Sequence, residues 1–339
     1  MGSKKHLVIA PPWVGDMVMT HSLIRLLKID DPQCSIDVFA LPALHPLIRR
    51  MPEIDNIITS TLVRGDIKLW TRFKIGKALR KNGYNQAYLI PNSFKSALVP
   101  FFAKIPTITG FKGEQRQLLI NDSRILNKIK LATMIKRFVY LGCPKNSSLP
   151  NSIPLPQLSV SQDNLNNTLG RLAIDKPIKP ILALCPGAAT FDSKRWPPEY
   201  FAEVAKTKHQ TGWNIWILGG REEQESAKII QKNSGGICLD LTGKTGLDEV
   251  IDLLSLVTVV VTNDSGLMHI ASAVHLSVVA IYGPTSPALA PPLSNNKTKK
   301  LSLDLPCSPC EQAECPLQHN GCLYKLKPEL VLAAIDEVT

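Results

Sequence analysis

The sequence predicts an α/β fold built as two doubly wound domains with parallel sheets. Three observations predict it. Short apolar, β-branched runs alternate with stretches whose apolar residues recur at helical spacing, the pattern of βαβ units. The alternation stops between Cys143 and Val160, where Pro144, Pro150, Pro154 and Pro156 stand among Ser and Asn, and then restarts. The chain, at 339 residues, is long enough for two domains of ordinary size.

The elements follow in order. His6–Ala10 reads as a first buried strand, Met17–Leu27 as a helix, Ser35–Ala40 and Tyr84–Ile90 as further strands, and Ala132–Leu141 as a helix. After the proline-rich stretch come a strand at Ile181–Leu184, a helix at Tyr200–Lys208, a strand at Asn214–Leu218 and a helix at Gln224–Gln231. Val257–Thr262 and Val278–Tyr282 are buried strands, and Pro328–Val338 is a last helix. The expected organisation is residues 1–155, residues 156–326, and a C-terminal helix over 327–339 that packs back on the first domain. Ligands of such sheets bind beyond the carboxyl ends of the strands, so a cleft between the domains is the expected site.

Composition narrows the function. Hydrophobic residues make up 44% of the chain and charged residues 20%, as in a soluble globular protein. No apolar run approaches the roughly 20 residues of a membrane span. The Lys4–Lys5 start resembles a signal peptide, but Pro11, Pro12 and Asp16 interrupt the apolar stretch, so a cytoplasmic protein is expected. Residues 1–150 hold 23 Lys and Arg against 9 Asp and Glu, a net of +14, whereas the remainder is at −3. A basic half points to an anionic partner: a phosphorylated lipid surface, a phosphorylated sugar or a nucleic acid. No nucleic-acid-binding motif accompanies the charge, so no nucleic acid is expected.

Chemistry gathers where strands end. Thr262-Asn263-Asp264-Ser265-Gly266-Leu267-Met268-His269 reads as a strand end, a tight turn and a helix start. The free N–H groups and partial positive charge of a helix start suit an anion, with Ser265 and Gly266 permitting close approach and Asp264 and His269 at the rim. The plainer role for Asn263 or Asp264 is a helix N-cap. Cys185–Thr190, followed by Asp192-Ser193-Lys194-Arg195-Trp196-Pro197, combines small residues, the Thr190 hydroxyl and two cations, which suits a diphosphate. In Gly219-Gly220-Arg221-Glu222-Glu223 an acidic residue can hold ribose hydroxyls or simply favour a helix start; the segment is not the G-x-G-x-x-G dinucleotide fingerprint, so a nicotinamide enzyme is not supported. Asp16, after Trp13-Val14-Gly15, is either a helix cap or a general base. Tyr282-Gly283-Pro284-Thr285 reads as a turn.

Together these stretches resemble the ADP-heptose:lipopolysaccharide heptosyltransferases of glycosyltransferase family nine. The resemblance rests on Pro11–Met19, Leu89–Ala97 with its Asn92-Ser93-Phe94-Lys95-Ser96, Lys194–Pro197, Asp264–His269 and Tyr282–Thr285, and spans nearly the whole chain. It implies a GT-B architecture of two facing Rossmann-like domains. It implies transfer of L-glycero-D-manno-heptose from ADP-heptose, with inversion, to the heptosyl-Kdo2-lipid A inner core of lipopolysaccharide. It implies Asp16 as the base; Lys194, Ser265 and Gly266 at the diphosphate; Thr190 in the donor loop; Glu222 at the ribose, with Glu223 one residue away; and Asp264, with His269 nearby, at the donor sugar. Asn92, Ser93 and Lys95, with Arg64 and Arg116, become candidate contacts for a phosphorylated lipid acceptor held at the anionic inner face of the inner membrane. No metal is implied for catalysis. A first-heptose transferase acting on Kdo2-lipid A, and a non-catalytic protein binding a nucleotide sugar or anionic lipid, remain open.

Cys307, Cys310, Cys315 and Cys322 form C-x2-C-x4-C-x6-C, with His319 between the last two. Four thiolates, or three with His319, suit a structural zinc; free thiols and an oxidised form are the alternatives.

Overall fold

The computed structural model describes residues 3–62, 65–189 and 191–339. The chain divides into two compact units, residues 1–156 and 157–339. Arg64 and Thr190, both candidates above, lie outside the described residues.

The first unit contains β1 (Lys5–Ile9), α1 (Val14–Asp30), β2 (Ser35–Ala40), α2 (His45–Ile48), β3 (Asn56–Thr59), α3 (Leu69–Leu79), β4 (Gln86–Leu89), α4 (Leu98–Phe102), β5 (Thr107–Phe111), β6 (Asp122–Arg124) and α5 (Met134–Gly142). Its strands form one parallel sheet in the order β3-β2-β1-β4-β5-β6. The second unit contains α6 (Gln162–Leu172), β7 (Ile181–Cys185), α7 (Pro198–Gln210), β8 (Asn214–Ile217), α8 (Gln224–Ser234), β9 (Leu239–Asp240), α9 (Leu247–Leu254), β10 (Val259–Asn263), α10 (Gly266–Ala273), β11 (Ser277–Ile281), β12 (Thr298–Leu301), α11 (Gly321–Tyr324) and α12 (Pro328–Val338). Its sheet, also parallel, has the order β12-β11-β10-β7-β8-β9. Each unit therefore repeats the Rossmann order, with the strand order reversing between β1 and β4 in one and between β7 and β10 in the other.

Burial explains the composition of these strands. Central β7 and β10 are buried at every position, because helices cover both faces of a parallel sheet and neither face needs polar residues. The edge strands differ: β3 is half-exposed, and β12 (Thr-Lys-Lys-Leu) carries two lysines, which discourage pairing with another chain. The second core joins β7, β8, β10 and β11 to Phe201, Val204 and Ala205 of α7 and to Val331, Ala334, Ile335 and Val338 of α12. The C-terminal helix, which the sequence allows to pack back on the first domain, groups with the second unit. The apolar stripe of α12 is consumed by the second unit, against α7, β10, β11 and β12.

Candidate functional site

In the second unit, the loops after β7, β10 and β11 converge. Asp264 follows β10 directly. It does not cap the helix: the N-cap of α10 is Ser265, and its side chain makes no capping bond. The Asp264 Oδ2 instead accepts from Lys194 Nζ at 2.8 Å and from Thr285 Oγ1 at 2.7 Å, with both charged side chains mostly buried. A cation, a carboxylate and a hydroxyl thus share one atom beside the start of a helix, whose first N–H groups lack intrahelical partners. Thr285 escaped the sequence reading because Tyr282–Thr285 shows only turn chemistry; nothing local marks its hydroxyl as a partner of a residue 21 positions away.

The surrounding side chains hold this cluster rigid. Asn263, fully buried, accepts from the Trp196 backbone N–H at 3.1 Å and donates to Pro186 O at 2.7 Å. It therefore pins both ends of the β7 loop to the end of β10. Trp196 is completely buried and donates from Nε1 to Leu326 O at 2.8 Å, which anchors the turn carrying Lys194. His269, placed at the rim by the sequence, is buried instead. Burial pushes its imidazole down to about 4; the Asp264 carboxylate opposes the shift and the Lys194 ammonium adds to it. It is neutral at pH 7, and its Nδ1 has no partner among the described residues. Of the two glutamates, Glu222 is exposed and Glu223 is buried. Glu223 takes the Gly220 N–H at 2.7 Å and lies so close to the β7 loop that a Cβ on Gly187 would come within 2.7 Å of its Cδ. The carboxylate turned toward the β7 loop is thus Glu223, not Glu222.

The Cys307–Cys322 segment contributes by holding loops. Ser193 Oγ donates to Gln312 O at 2.7 Å, Ser308 Oγ to Gly283 O at 2.6 Å, and the Glu311 N–H to Pro284 O at 2.8 Å. One segment therefore clamps the turns bearing both partners of Asp264. The four cysteines are free and partly exposed. Among the described residues no group of three or more His, Cys, Asp or Glu side chains is arranged to hold a metal ion; the Cys322 thiol is nonetheless pushed up in pKa, first by burial and then by the charges of Cys310, Cys315 and Cys307. Backbone N–H groups of Asn320, Leu317, His319 and Gln318 lower the Cys315 thiol pKa, the Asn320 contact most strongly.

In the first unit, candidates gather at the β1/β4 switch point. Asp16 lies half-buried in the first turn of α1, whose N-cap is Trp13, so the helix-cap role falls to another residue. An acidic side chain there also complements the helix dipole. The loop after β4 carries Asn92, Ser93 and Lys95. Asn92 is exposed, and its Oδ1 accepts from Arg116 at 2.7 Å. Lys95 Nζ donates to Gly65 O at 2.9 Å. Arg116 is not a ligand-facing cation. It is 1% exposed, its pKa is pushed down to about 10 by burial, and its donors are spent on Pro91 O, Ser93 O, Ser96 Oγ, Asn92 Oδ1 and Phe111 O. It is the strut of the loop. Arg72, unnoticed in the sequence, does the same from α3: it is buried and donates to Lys95 O at 2.9 Å and Asp66 O at 3.1 Å.

Two Rossmann-type units in tandem, with polar clusters at their strand switch points, match the architecture of GT-B-like glycosyltransferases. The sequence profile of "Glycosyltransferase family 9 (heptosyltransferase)" matches residues 72–320. The chain is 38% identical to lipopolysaccharide heptosyltransferase 2 of Escherichia coli (strain K12), over 98% of this chain and 97% of the relative. It is also 38% identical to lipooligosaccharide heptosyltransferase 2 of Haemophilus influenzae, over 98% of each. A solved structure of E. coli ADP-heptose lps heptosyltransferase II superposes with a TM-score of 0.87 at 36% identity, covering 98% of both chains. The chain belongs to glycosyltransferase family 9.

Proposed function

We propose that this enzyme transfers L-glycero-D-manno-heptose from ADP-heptose to heptosyl-Kdo2-lipid A, inverting the anomeric carbon. The observation that carries the reading is the Lys194–Asp264–Thr285 cluster at the start of α10, in a chain so similar over its length to heptosyltransferases 2. Lys194 and the free N–H groups at Ser265 and Gly266 meet the diphosphate and stabilise the negative charge that grows on it as the glycosidic bond breaks. Asp264 accepts from donor sugar hydroxyls and keeps Lys194 aimed. His269, neutral, adds no competing positive charge to Asp264. Glu222 or its neighbour Glu223 holds the ribose. Asp16 removes the proton of the acceptor hydroxyl as its oxygen attacks the anomeric carbon and ADP departs. Asn92, Ser93, Lys95 and Arg64 receive the acceptor, with Asn92 held by Arg116. No resident cofactor enters these steps. The enzyme works peripherally on an anionic membrane at its cytoplasmic face, a reading supported by the basic charge of the first unit; among the described residues no helix is long and apolar enough to cross a membrane.

The test is ADP release from ADP-L-glycero-β-D-manno-heptose with heptosyl-Kdo2-lipid A or Kdo2-lipid A, for the natural chain and Asp16→Ala. The expected result is turnover on the heptosylated acceptor, reduced about 10²- to 10⁴-fold by the substitution. Preference for Kdo2-lipid A would move the enzyme to the first-heptose step, and donor binding with no turnover on either would overturn the proposed acceptor, pointing to a different one or to a protein that binds the nucleotide sugar without transferring it.

A further inference from the structure

One face of the first unit breaks the rule that large apolar side chains are buried. On α3, Leu69 and Trp70 are 54% and 67% exposed, Ile67 just before it is 57% exposed, and Phe101 at the end of α4 is 44% exposed. These are not scattered residues. Trp70 stacks on Phe73 at 5.2 Å between ring centroids, Phe73 meets Phe102 edge-on at 5.4 Å, and Phe102 meets Phe101 at 5.6 Å. The row is rigid because Gly76 brings α3 onto α4: a Cβ there would fall 2.5 Å from Phe102 Cβ. A contiguous exposed aromatic row costs solubility and marks an interaction surface.

The charges around it say what kind. From Ile67 to Gly113 the chain carries nine Lys and Arg and not one Asp or Glu. Lys68, Lys74, Lys77, Arg80, Lys81 and Lys104 are exposed around the ring row, and Lys74 Nζ lies 5.9 Å over the Trp70 ring. Trp and Phe flanked by lysines on a short helix are the chemistry of the headgroup–acyl boundary of an anionic bilayer. The face is also continuous with the acceptor loop: Ser93 leads through the Phe94–Ala97 turn straight into α4, and Arg72 of α3 holds Lys95 O.

We propose that the α3–α4 face is a membrane-insertion surface. Trp70 and Phe101 enter the headgroup boundary of an anionic bilayer, the surrounding lysines pair with its phosphates, and the acceptor loop is presented to sugars projecting from that bilayer. The last clause rests on the reading of a lipid-anchored acceptor; the insertion itself does not.

The experiment measures binding of the full chain to phosphatidylglycerol–phosphatidylethanolamine vesicles with brominated acyl chains, by flotation and tryptophan quenching. The natural chain is expected to bind and to be quenched, with neither effect on phosphatidylcholine alone. Trp70→Phe should bind equally and lose the quenching. Trp70→Ser with Phe101→Ser should bind about ten-fold or more weakly, keep its thermal unfolding midpoint, and retain turnover on a water-soluble, deacylated acceptor. Binding without Trp70 quenching, unchanged in the double variant, would overturn the surface while leaving the proposed transfer intact. Quenching with no turnover on any heptosyl acceptor would uphold the surface and remove the transfer. A concentration-dependent dimer lost in the double variant, with no vesicle binding, would overturn the surface in favour of a second copy of this chain.

Discussion

Asp264 shows how a residue's role changes between chain and fold. Locally it is a good helix cap. In the fold its carboxylate is taken by Lys194 and Thr285, because the loops after β7 and β11 both end beside β10. Lys194→Ala is expected to lower kcat on the order of 10²- to 10³-fold, as for loss of one preorganised donor to a developing anion. Thr285→Val, which removes one bond to the same oxygen, should cost about ten-fold in donor affinity. His269 yields a stability test. Its pKa falls from 6.5 to about 4 on folding, mainly through burial, so between those values the unfolded chain binds a proton that the folded chain does not. Its contribution is complete above about pH 6.5 and is lost as pH falls toward 4, amounting to roughly 3 kcal/mol. The urea midpoint should therefore drop more steeply between pH 7 and 5 in the natural chain than in His269→Gln; parallel profiles would show that the imidazole does not carry the effect.

At the scale of elements, the site is a set of loops held by struts. Arg116 fastens the loop after β4 with its donors spread over five acceptor groups, and Asn263 fastens the loop after β7. Arg116→Met leaves those acceptors to find other partners; a loss of about 3 kcal/mol in urea unfolding is expected, and a loss under about 1 kcal/mol would show that the loop holds itself. The cysteine-bearing segment braces the Lys194 and Thr285 turns through Ser193 and Ser308. Ser193→Ala with Ser308→Ala should raise KM for the donor about three- to ten-fold with little change in kcat, since each bond is worth about 1 kcal/mol and neither side chain forms part of the Lys194–Asp264–Thr285 cluster. A fall in kcat with KM unchanged would contradict a purely positioning role.

For the whole molecule, the charge asymmetry of the two halves carries its own expectation. Vesicle association should weaken about ten-fold between low and high salt, because exposed lysines act through a screening length near 10 Å at 0.1 M; indifference to salt would remove the electrostatic part of membrane attachment. The alternating periodicity and the proline-rich break alone indicated two α/β halves, because buried parallel strands need continuous apolar runs and helices need their stripe. Asp16, Lys194 and Asp264 stood out as candidates because unusual side chains at strand ends differ from turn chemistry, whereas Asn92 entered only through the resemblance to the family. Short edge elements such as β3, β6 and β12 were not legible, having too few buried positions to impose a period. Whether Asp264 caps a helix or holds a lysine, whether Arg116 faces a ligand or braces a loop, whether His269 is wet or buried, and where α12 packs were decided only by tertiary structure. Each depends on partners tens of residues away, and a hydrogen bond or a burial cost belongs to the pair that the fold brings together, not to either residue in its own stretch of chain.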